Sequence, residues 1–417
     1  VRVLVLNRSY YPDVEATGQL LTELCCDLAA AHEVTVIAGR PNFVTTGPGR
    51  GPLVERELHG GVEILRVRNL RFNKVRLLAR GLGLASYLLL AMLVALRRPR
   101  PDVVVVETDP PLLGVMGAVL KWWHRCRLVF YLQDLYPEVG LVLGRLRPGP
   151  VAWLLRWATQ VGLRRADRVV VLGEDMRRRV LGRGVRPGKV VVVPNWADTR
   201  AVRPPVGESP LRREWGINGR FVVMYSGNLG LSQDLDQVLS AAEQLRGEVV
   251  EFLFVGEGAA KPGLRDQANH LGLDNVRFLP YQPKERLGES LAAADVHLIT
   301  LHPGLAGYIV PSKLYGILAA GRPYVAAVDE DSEVAAVTAR AGTGLRVRPN
   351  SPDELTRAVR WCLANRAELE AMGRRGRGLA EDCFDRRRSV AVFDQMLRGL
   401  AASPRRHRAV AVVAAGA

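Results

Sequence analysis

Seven short runs of consecutive apolar residues, rich in valine, punctuate the first half of the chain: VRVLVLN at Val1, EVTVIAG at Glu33, VEILRV at Val62, DVVVVE at Asp102, RLVFYL at Arg127, RVVVLG at Arg168 and KVVVVPN at Lys189. A strand with one wet face alternates apolar and polar residues. Strands that are apolar throughout are covered on both faces, as in a parallel sheet sandwiched between helices. Helical segments separate the runs, starting with LLTELCCDLAAAH at Leu20, so the first half is expected to be an α/β domain of the nucleotide-binding type.

The alternation stops at a stretch rich in proline and polar residues, Pro194 to Pro210, and then begins again with FVVMYSGNLG, EFLFVGEG, NVRFLP, DVHLIT and PYVAAV. A chain of 417 residues is too long for one ordinary core, and two domains of about 200 residues are the natural division. The expected organisation is a first Rossmann-like domain over 1–203, a second over 204–384, a helix over 385–402 returning to the first domain, and a fraying tail over 403–417. Helices are expected over Pro352–Ala364 and Asp385–Leu400.

Charge is unevenly shared. Residues 1–200 hold 30 Lys and Arg against 17 Asp and Glu, a net +13 of the chain's formal +16. Such a field suits a polyanion, an anionic membrane face or an acidic substrate. Five cysteines, an odd number without CxxC spacing, fit a reducing cytosol better than a disulfide framework. The first residues run straight into a strand, with no signal-peptide pattern, so a cytoplasmic location is expected. The most apolar segment, Gly81 to Leu96, has 16 residues without charge between clusters that include Arg76, Arg80, Arg97 and Arg98. At 1.5 Å per residue it spans about 24 Å, short of the ~30 Å hydrocarbon core. It reads as a helix buried on the sheet, or one that also touches the membrane interface. Trp122 and Trp123, inside KWWHRCR, have a composition suited to lipid headgroups and read equally well as an ordinary helix end.

The stretch IVPSKLYGILAAGRPYVAAV, Ile309 to Val328, concentrates the chemistry. Ser312 reads as the N-cap of a helix from Lys313 to Ala320 that Gly321 and Pro323 stop. In a parallel sheet that helix start lies at the carboxyl edge of the strands, where free N–H groups attract anions. A lysine at a helix N-terminus is disfavoured by the helix dipole, which points to an anion beside Lys313.

Taken together, LNRSYYPDVEATGQ, ETDPPLLG, YLQDLYPE, LGEDMRRRV, PNWAD, MYSGNLGLSQDLD, FVGEG, VPSKLYGILAAGRP and DEDSEVA resemble, in order, the segments of GT-B glycosyltransferases of family 4. Within them the chain looks like the bacterial branch that builds O-antigen and capsular polysaccharide, including L-fucosamine transferase-like enzymes. The resemblance covers the chain to about Leu400. It implies two doubly wound domains facing across a cleft, and a sugar, an N-acetylated hexosamine or deoxyhexosamine, moved with retention from a UDP-linked donor. It implies no required metal cofactor. The implied acceptor is a lipid-linked or other saccharide at the inner face of the plasma membrane.

Carried over residue by residue, the resemblance implies that Gly18, after the first strand, approaches the donor phosphates. Asp134 and Glu138 of YLQDLYPE, at the end of a core strand, become the catalytic carboxylates; Gln133 stands where many relatives have His. The donor diphosphate would meet Gly227, Asn228, Pro311, Ser312 and Lys313, because Asn228 and Gln233 replace the Arg and Lys of relatives. Tyr281 and Gln282 of LPYQP would flank the nucleobase. Gly316 occupies the place of a ribose-holding Glu, so the E-x7-E pattern is missing. Arg76, Arg80, Trp122 and Trp123 are assigned to the acceptor or membrane side. Asp329-Glu330-Asp331 spells a D-x-D metal motif and reads better as a polar loop before a helix at Ser332, and His302 reads more readily as structural than as a sugar contact. The competing readings are a sugar-nucleotide epimerase or phosphorylase on the same fold, a silent scaffold, and a basic nucleic-acid-binding protein, against which stands the lack of an interleaved aromatic platform.

Overall fold

The computed structural model of the protein describes residues 1–13, 15–41, 52–68, 77–204 and 207–403, without the side chains of 77–82. Arg76, the side chain of Arg80 and tail residues 404–417 therefore lie outside the described residues.

In the first domain the strands are β1 (Arg2–Leu6), β2 (Glu33–Ala38), β3 (Val54–His59), β4 (Val62–Val67), β5 (Val103–Val106), β6 (Arg127–Tyr131), β7 (Arg168–Val171) and β8 (Val190–Val192). Their order in the sheet is β3-β4-β2-β1-β5-β6-β7-β8, parallel except for β3. The helices are α1 (Ala16–Leu28), α2 (Leu77–Arg97), α3 (Leu113–His124), α4 (Glu138–Val142), α5 (Pro150–Arg165) and α6 (Glu174–Gly182). All four valines of β5 are buried, each stabilising the fold by roughly 1.5–3 kcal/mol. Helices α2, α3 and α5 pack side by side as one layer on the sheet. Gly114 and Gly162 let α3 and α5 touch backbone to backbone over Phe130, where a Cβ on Gly162 would fall 2.6 Å from that ring.

The second domain starts with α7 (Pro210–Glu214). Its strands are β9 (Phe221–Ser226), β10 (Val250–Val255), β11 (Val276–Leu279), β12 (Val296–Thr300), β13 (Tyr324–Ala327) and β14 (Gly344–Val347), parallel throughout in the order β11-β10-β9-β12-β13-β14. Its helices are α8 (Asp236–Gln244), α9 (Lys261–His270), α10 (Leu287–Ala292), α11 (Lys313–Ala319), α12 (Glu333–Ala341), α13 (Pro352–Ala364) and α14 (Arg366–Cys383). Finally α15 (Arg386–Ala402) crosses back onto α1 and β5. There Arg386 grips Asp27 with two bonds of 2.7 Å, and Phe393 meets the Tyr131 ring edge-on. The outgoing and returning strands of the crossover run alongside each other: Ala197 donates its N–H to the Phe384 carbonyl, and Arg386 returns one to Ala197.

Three local expectations change. Gly18 lies inside the first turn of α1, not in the preceding loop. Ser312 adopts helical backbone angles and its hydroxyl makes no capping bond. The edge strand β3 and helix α14 carry no continuous apolar run and escape the sequence pattern.

Candidate active site

In a doubly wound sheet, neighbouring strands whose following helices go to opposite faces leave a crevice at their carboxyl ends. Here that switch falls between β1 and β5 in the first sheet and between β9 and β12 in the second. After β1 and β5 come Arg8, Ser9 and Asp109: Arg8 pairs with Asp109 at 3.2 Å, and the Ser9 hydroxyl donates to Asp109 at 3.0 Å. After β9 and β12 come Gly227–Gly230 and His302–Lys313.

Asp134 joins the two sides. It follows β6, where its N–H reaches the Thr108 hydroxyl, and it forms an isolated antiparallel bridge with Ile309 of the second domain. The adjoining Leu135 N–H donates to the Tyr308 carbonyl at 2.9 Å. The catalytic candidate is thus fixed to the segment that leads into Lys313. Burial, reinforced by the charge of Asp109, pushes the Asp134 carboxyl up to about 7. Burial raises the pKa of Glu107, at the end of β5, well above the ordinary carboxyl value, and its carboxyl accepts a hydrogen bond from Gln133 at 3.0 Å. Gln133 therefore braces the carboxyl cluster from below rather than replacing a histidine at its surface.

Glu138 is placed differently. Its carboxylate pairs with Arg156 of α5 at 3.1 Å and with Arg183 at 2.5 Å. These two cations hold the loop carrying Asp134 against the first domain, and the geometry makes Glu138 a brace. Gly18 is also a packing position: a Cβ there would come within 3.3 Å of Asp13 and 3.6 Å of the Ser9 and Tyr10 backbone, so the glycine lets α1 close on the β1 loop.

Across the cleft, the Lys313 ammonium sits 3.5 Å from the centre of the Tyr225 ring, and its stem lies over Gly227. Among the described residues no carboxylate pairs with it. Desolvation holds its pKa well below the ordinary lysine value, the mark of a cation lacking its counter-charge. The backbone cradle is smaller than the sequence suggests, because the Gly227 N–H donates to Val255 and the Leu229 N–H to Glu257. Asn228 stands exposed at the turn, its carbonyl accepting from the Tyr225 hydroxyl at 2.8 Å. Pro311 and Ser312 are half-buried beside Lys313, and Gly316 packs its Cβ position against Leu291. Tyr281 is exposed at the mouth, while the Gln282 amide folds back onto the Pro280 carbonyl.

The two loops of the second domain touch through glycines. Gly256 has φ +149°, and a Cβ on it would lie 2.0 Å from the Gly227 carbonyl oxygen. Gly256→Ala is expected to lower unfolding stability by roughly 2–4 kcal/mol and to displace the Gly227 turn, read by denaturant unfolding.

Other candidates are used elsewhere. His297 is buried, bonded to the Leu291 carbonyl, and lowered to about 4 by burial. His302 bonds the Pro303 carbonyl through Nδ1. Asp329 accepts from the Gly304 N–H, and Ser332 caps α12 through the Ala335 N–H, so D-x-D is a structured turn. Arg8 and Asp109 carried no assigned role in the sequence reading. The signal available for Asp109 was its position just past DVVVVE, beside a switch point visible only once strand order is known. Trp122 and Trp123 lie at the far end of α3, next to the start of β6, away from the cleft loops.

Two Rossmann-like domains facing across a cleft, each with its switch point turned toward the other, define the GT-B class. Residues 16–196 match the family described as "Glycosyl transferase 4-like domain", and residues 208–379 match "Glycosyl transferases group 1". The chain is 32% identical over 294 residues to "Probable glycosyltransferase WbjE" of Pseudomonas aeruginosa, covering 69% of this chain and 73% of that protein. It is 28% identical to "Putative colanic acid biosynthesis glycosyl transferase WcaI" of Escherichia coli K12, over 96% and 100% of the two chains. Among solved structures, Anabaena HepE in complex with UDP superposes with a TM-score of 0.73 at 17% identity, over 96% and 100% of the chains. WaaG, titled a glycosyltransferase involved in lipopolysaccharide biosynthesis, gives 0.69 at 17%, over 95% and 100%. The chain belongs to the family 4, group 1 glycosyltransferases.

Proposed function

We propose that the enzyme transfers a sugar, with retention, from a UDP-linked donor to a lipid-linked saccharide in cell-surface polysaccharide synthesis, as a peripheral protein at the inner face of the membrane. The observation that carries the reading is the Lys313 ammonium, without a carboxylate partner among the described residues, at the end of the segment whose Ile309 bridges Asp134 of the first domain. A nucleotide diphosphate supplies the charge that Lys313 lacks, and the neutralisation is assigned to this side chain rather than to a divalent cation. As the bond between the anomeric carbon and the phosphate oxygen breaks, its electrons pass to the diphosphate, where Lys313 stabilises them. The acceptor oxygen bonds to the anomeric carbon from the same face and gives up its proton. An ionised Asp134 either stabilises the developing positive charge of the sugar or receives that proton. HepE and its bound UDP support the choice of nucleotide, and the names of WcaI and WbjE support the polysaccharide setting.

The test is a thermal-shift screen of nucleotide diphosphates and nucleotide sugars, since a ligand selective for the folded state raises apparent stability by about 2.7 kcal/mol at one hundred times its Kd. UDP or a UDP-sugar is expected to give the largest shift. A larger shift with GDP overturns the donor assignment, and no shift with any of them overturns the diphosphate cradle.

A further inference from the structure

The layer formed by α2, α3 and α5 presents an outer surface unlike the rest of the molecule. Four of the chain's seven tryptophans stand on it and are open to solvent: Trp122 and Trp123 on α3 are 75% and 56% exposed, Trp153 and Trp157 on α5 are 66% and 47% exposed. On α2 the buried positions Tyr87, Ala91 and Ala95 recur every four residues, which leaves Leu89 and Leu93 pointing outward. A helix covering a sheet ordinarily turns charged residues to water. These three helices contain no Asp or Glu at all, and four of their six Lys and Arg gather toward one end, Arg97, Lys121, Arg164 and Arg165, the other two being Arg80 and Arg156. Lys121 is neutralised by Asp167, whereas Arg164 and Arg165 are exposed and have no carboxylate partner among the described residues.

We infer that this three-helix face is a seat for an anionic lipid bilayer, with the tryptophans at headgroup depth and the arginines against lipid phosphates. Indole rings favour the membrane–water interface, where one edge is apolar and the other wet, and exposed arginine adds attraction to an anionic leaflet. Helices without carboxylates of their own, with Asp167 and Glu138 beside them engaged by Lys121 and Arg156, bring little repulsion there, which favours a bilayer over a typical acidic-and-basic protein surface. No helix among the described residues is long and apolar enough to cross a membrane, so the contact is interfacial. This deepens the transferase reading and rests on it in one respect, the arrival of a lipid-borne acceptor. Arg156, between Trp153 and Trp157 on α5, holds Glu138, four residues beyond Asp134. The amino-terminal half of α5 therefore borders the cleft, and a substrate anchored in the leaflet would enter beside it.

The full chain should co-sediment with vesicles of phosphatidylglycerol and phosphatidylcholine, bind pure phosphatidylcholine at least tenfold more weakly, and release progressively as salt rises. Trp153→Ser with Trp157→Ser, and separately Trp122→Ser with Trp123→Ser, should each lower the apparent vesicle affinity about tenfold. Arg164→Gln with Arg165→Gln should lower it on anionic vesicles only. These side chains are exposed, so folding is expected to survive, and the nucleotide-induced thermal shift of the Trp153/Trp157 variant should match the parent's. Failure of the parent to bind anionic vesicles overturns the inference, as does unaltered binding by the tryptophan variants. A dimer dissociated by the same substitutions, without vesicle binding, assigns the face to a second copy of the chain. Vesicle binding without any nucleotide shift leaves the seat standing and overturns the transferase mechanism instead.

Discussion

Asp134→Asn is expected to lower the rate of sugar transfer by roughly 10²- to 10⁴-fold, the range for a positioned acid–base group, with donor affinity nearly unchanged. Asp134 stands on the first domain while the proposed nucleotide cradle is on the second, so its loss is expected to act on the transition state more than on binding. The parent should show a pH–rate limb that rises as the carboxyl ionises near pH 7, because burial and Asp109 hold its pKa at about 7. The variant should lack that limb. The same shift governs stability. The unfolded carboxyl ionises near 3.8 and the folded one near 7, so the folded state binds the extra proton between these values. Stability from this group is intact below about pH 4, declines as pH rises, and is lost above about pH 7. At pH 8 the Asn variant should accordingly be more stable than the parent, by roughly 1–4 kcal/mol after allowance for partial exposure, with no difference near pH 4. A variant that is slower, more stable and unchanged in donor binding separates a catalytic carboxylate from a structural one. Undiminished transfer would remove Asp134 from the mechanism.

How much of this could be read from the chain varies with the physics involved. Buried parallel strands announce themselves because both faces must be apolar, and β5, β6 and β12 stand where DVVVVE, RLVFYL and DVHLIT place them. The edge strand β3, VERELH, pairs on one side only and is mostly wet, so it carries charge instead of an apolar run. Helix α14 is hidden by its glycines, which read as breakers. In the structure Gly373 and Gly376 let α14 close on α11, where a Cβ on Gly373 would lie 2.2 Å from the Gly321 carbonyl oxygen. The resemblance pointed to Asp134 and the helix-start pattern to Lys313, and the structure places the first just after β6 and the second at the start of α11. The brace role of Glu138 was not, since its partners Arg156 and Arg183 arrive from α5 and from the turn after α6. Nor was the Arg8–Asp109 pair, whose members are 101 residues apart and meet only because β1 and β5 are neighbours.

Lys313→Met is expected to weaken binding of a nucleotide diphosphate about 10- to 100-fold while making the ligand-free protein more stable. The first effect is the loss of a charge-assisted contact to phosphate, worth roughly 1.5–3 kcal/mol. The second comes from the same ammonium in the absence of its anion. It sits against Tyr225 and Gly227 with desolvation lowering its pKa, so the folded state binds that proton less tightly than the unfolded chain does. The resulting destabilisation is full at pH values below the folded pKa. It shrinks as pH rises through that value and is absent above 10.5, where the unfolded lysine is also neutral. Met keeps the unbranched stem over the Tyr225 ring and removes the charge, which isolates electrostatics from packing. Melting curves of parent and variant, each with and without UDP, should therefore cross: the variant melts higher alone and gains less from ligand. A surface lysine would move neither curve, and a purely structural one would lower the variant's melting point without altering affinity. Only a cation kept in place for an incoming anion gives opposite signs in the two measurements, because the diphosphate supplies the counter-charge that the folded protein lacks.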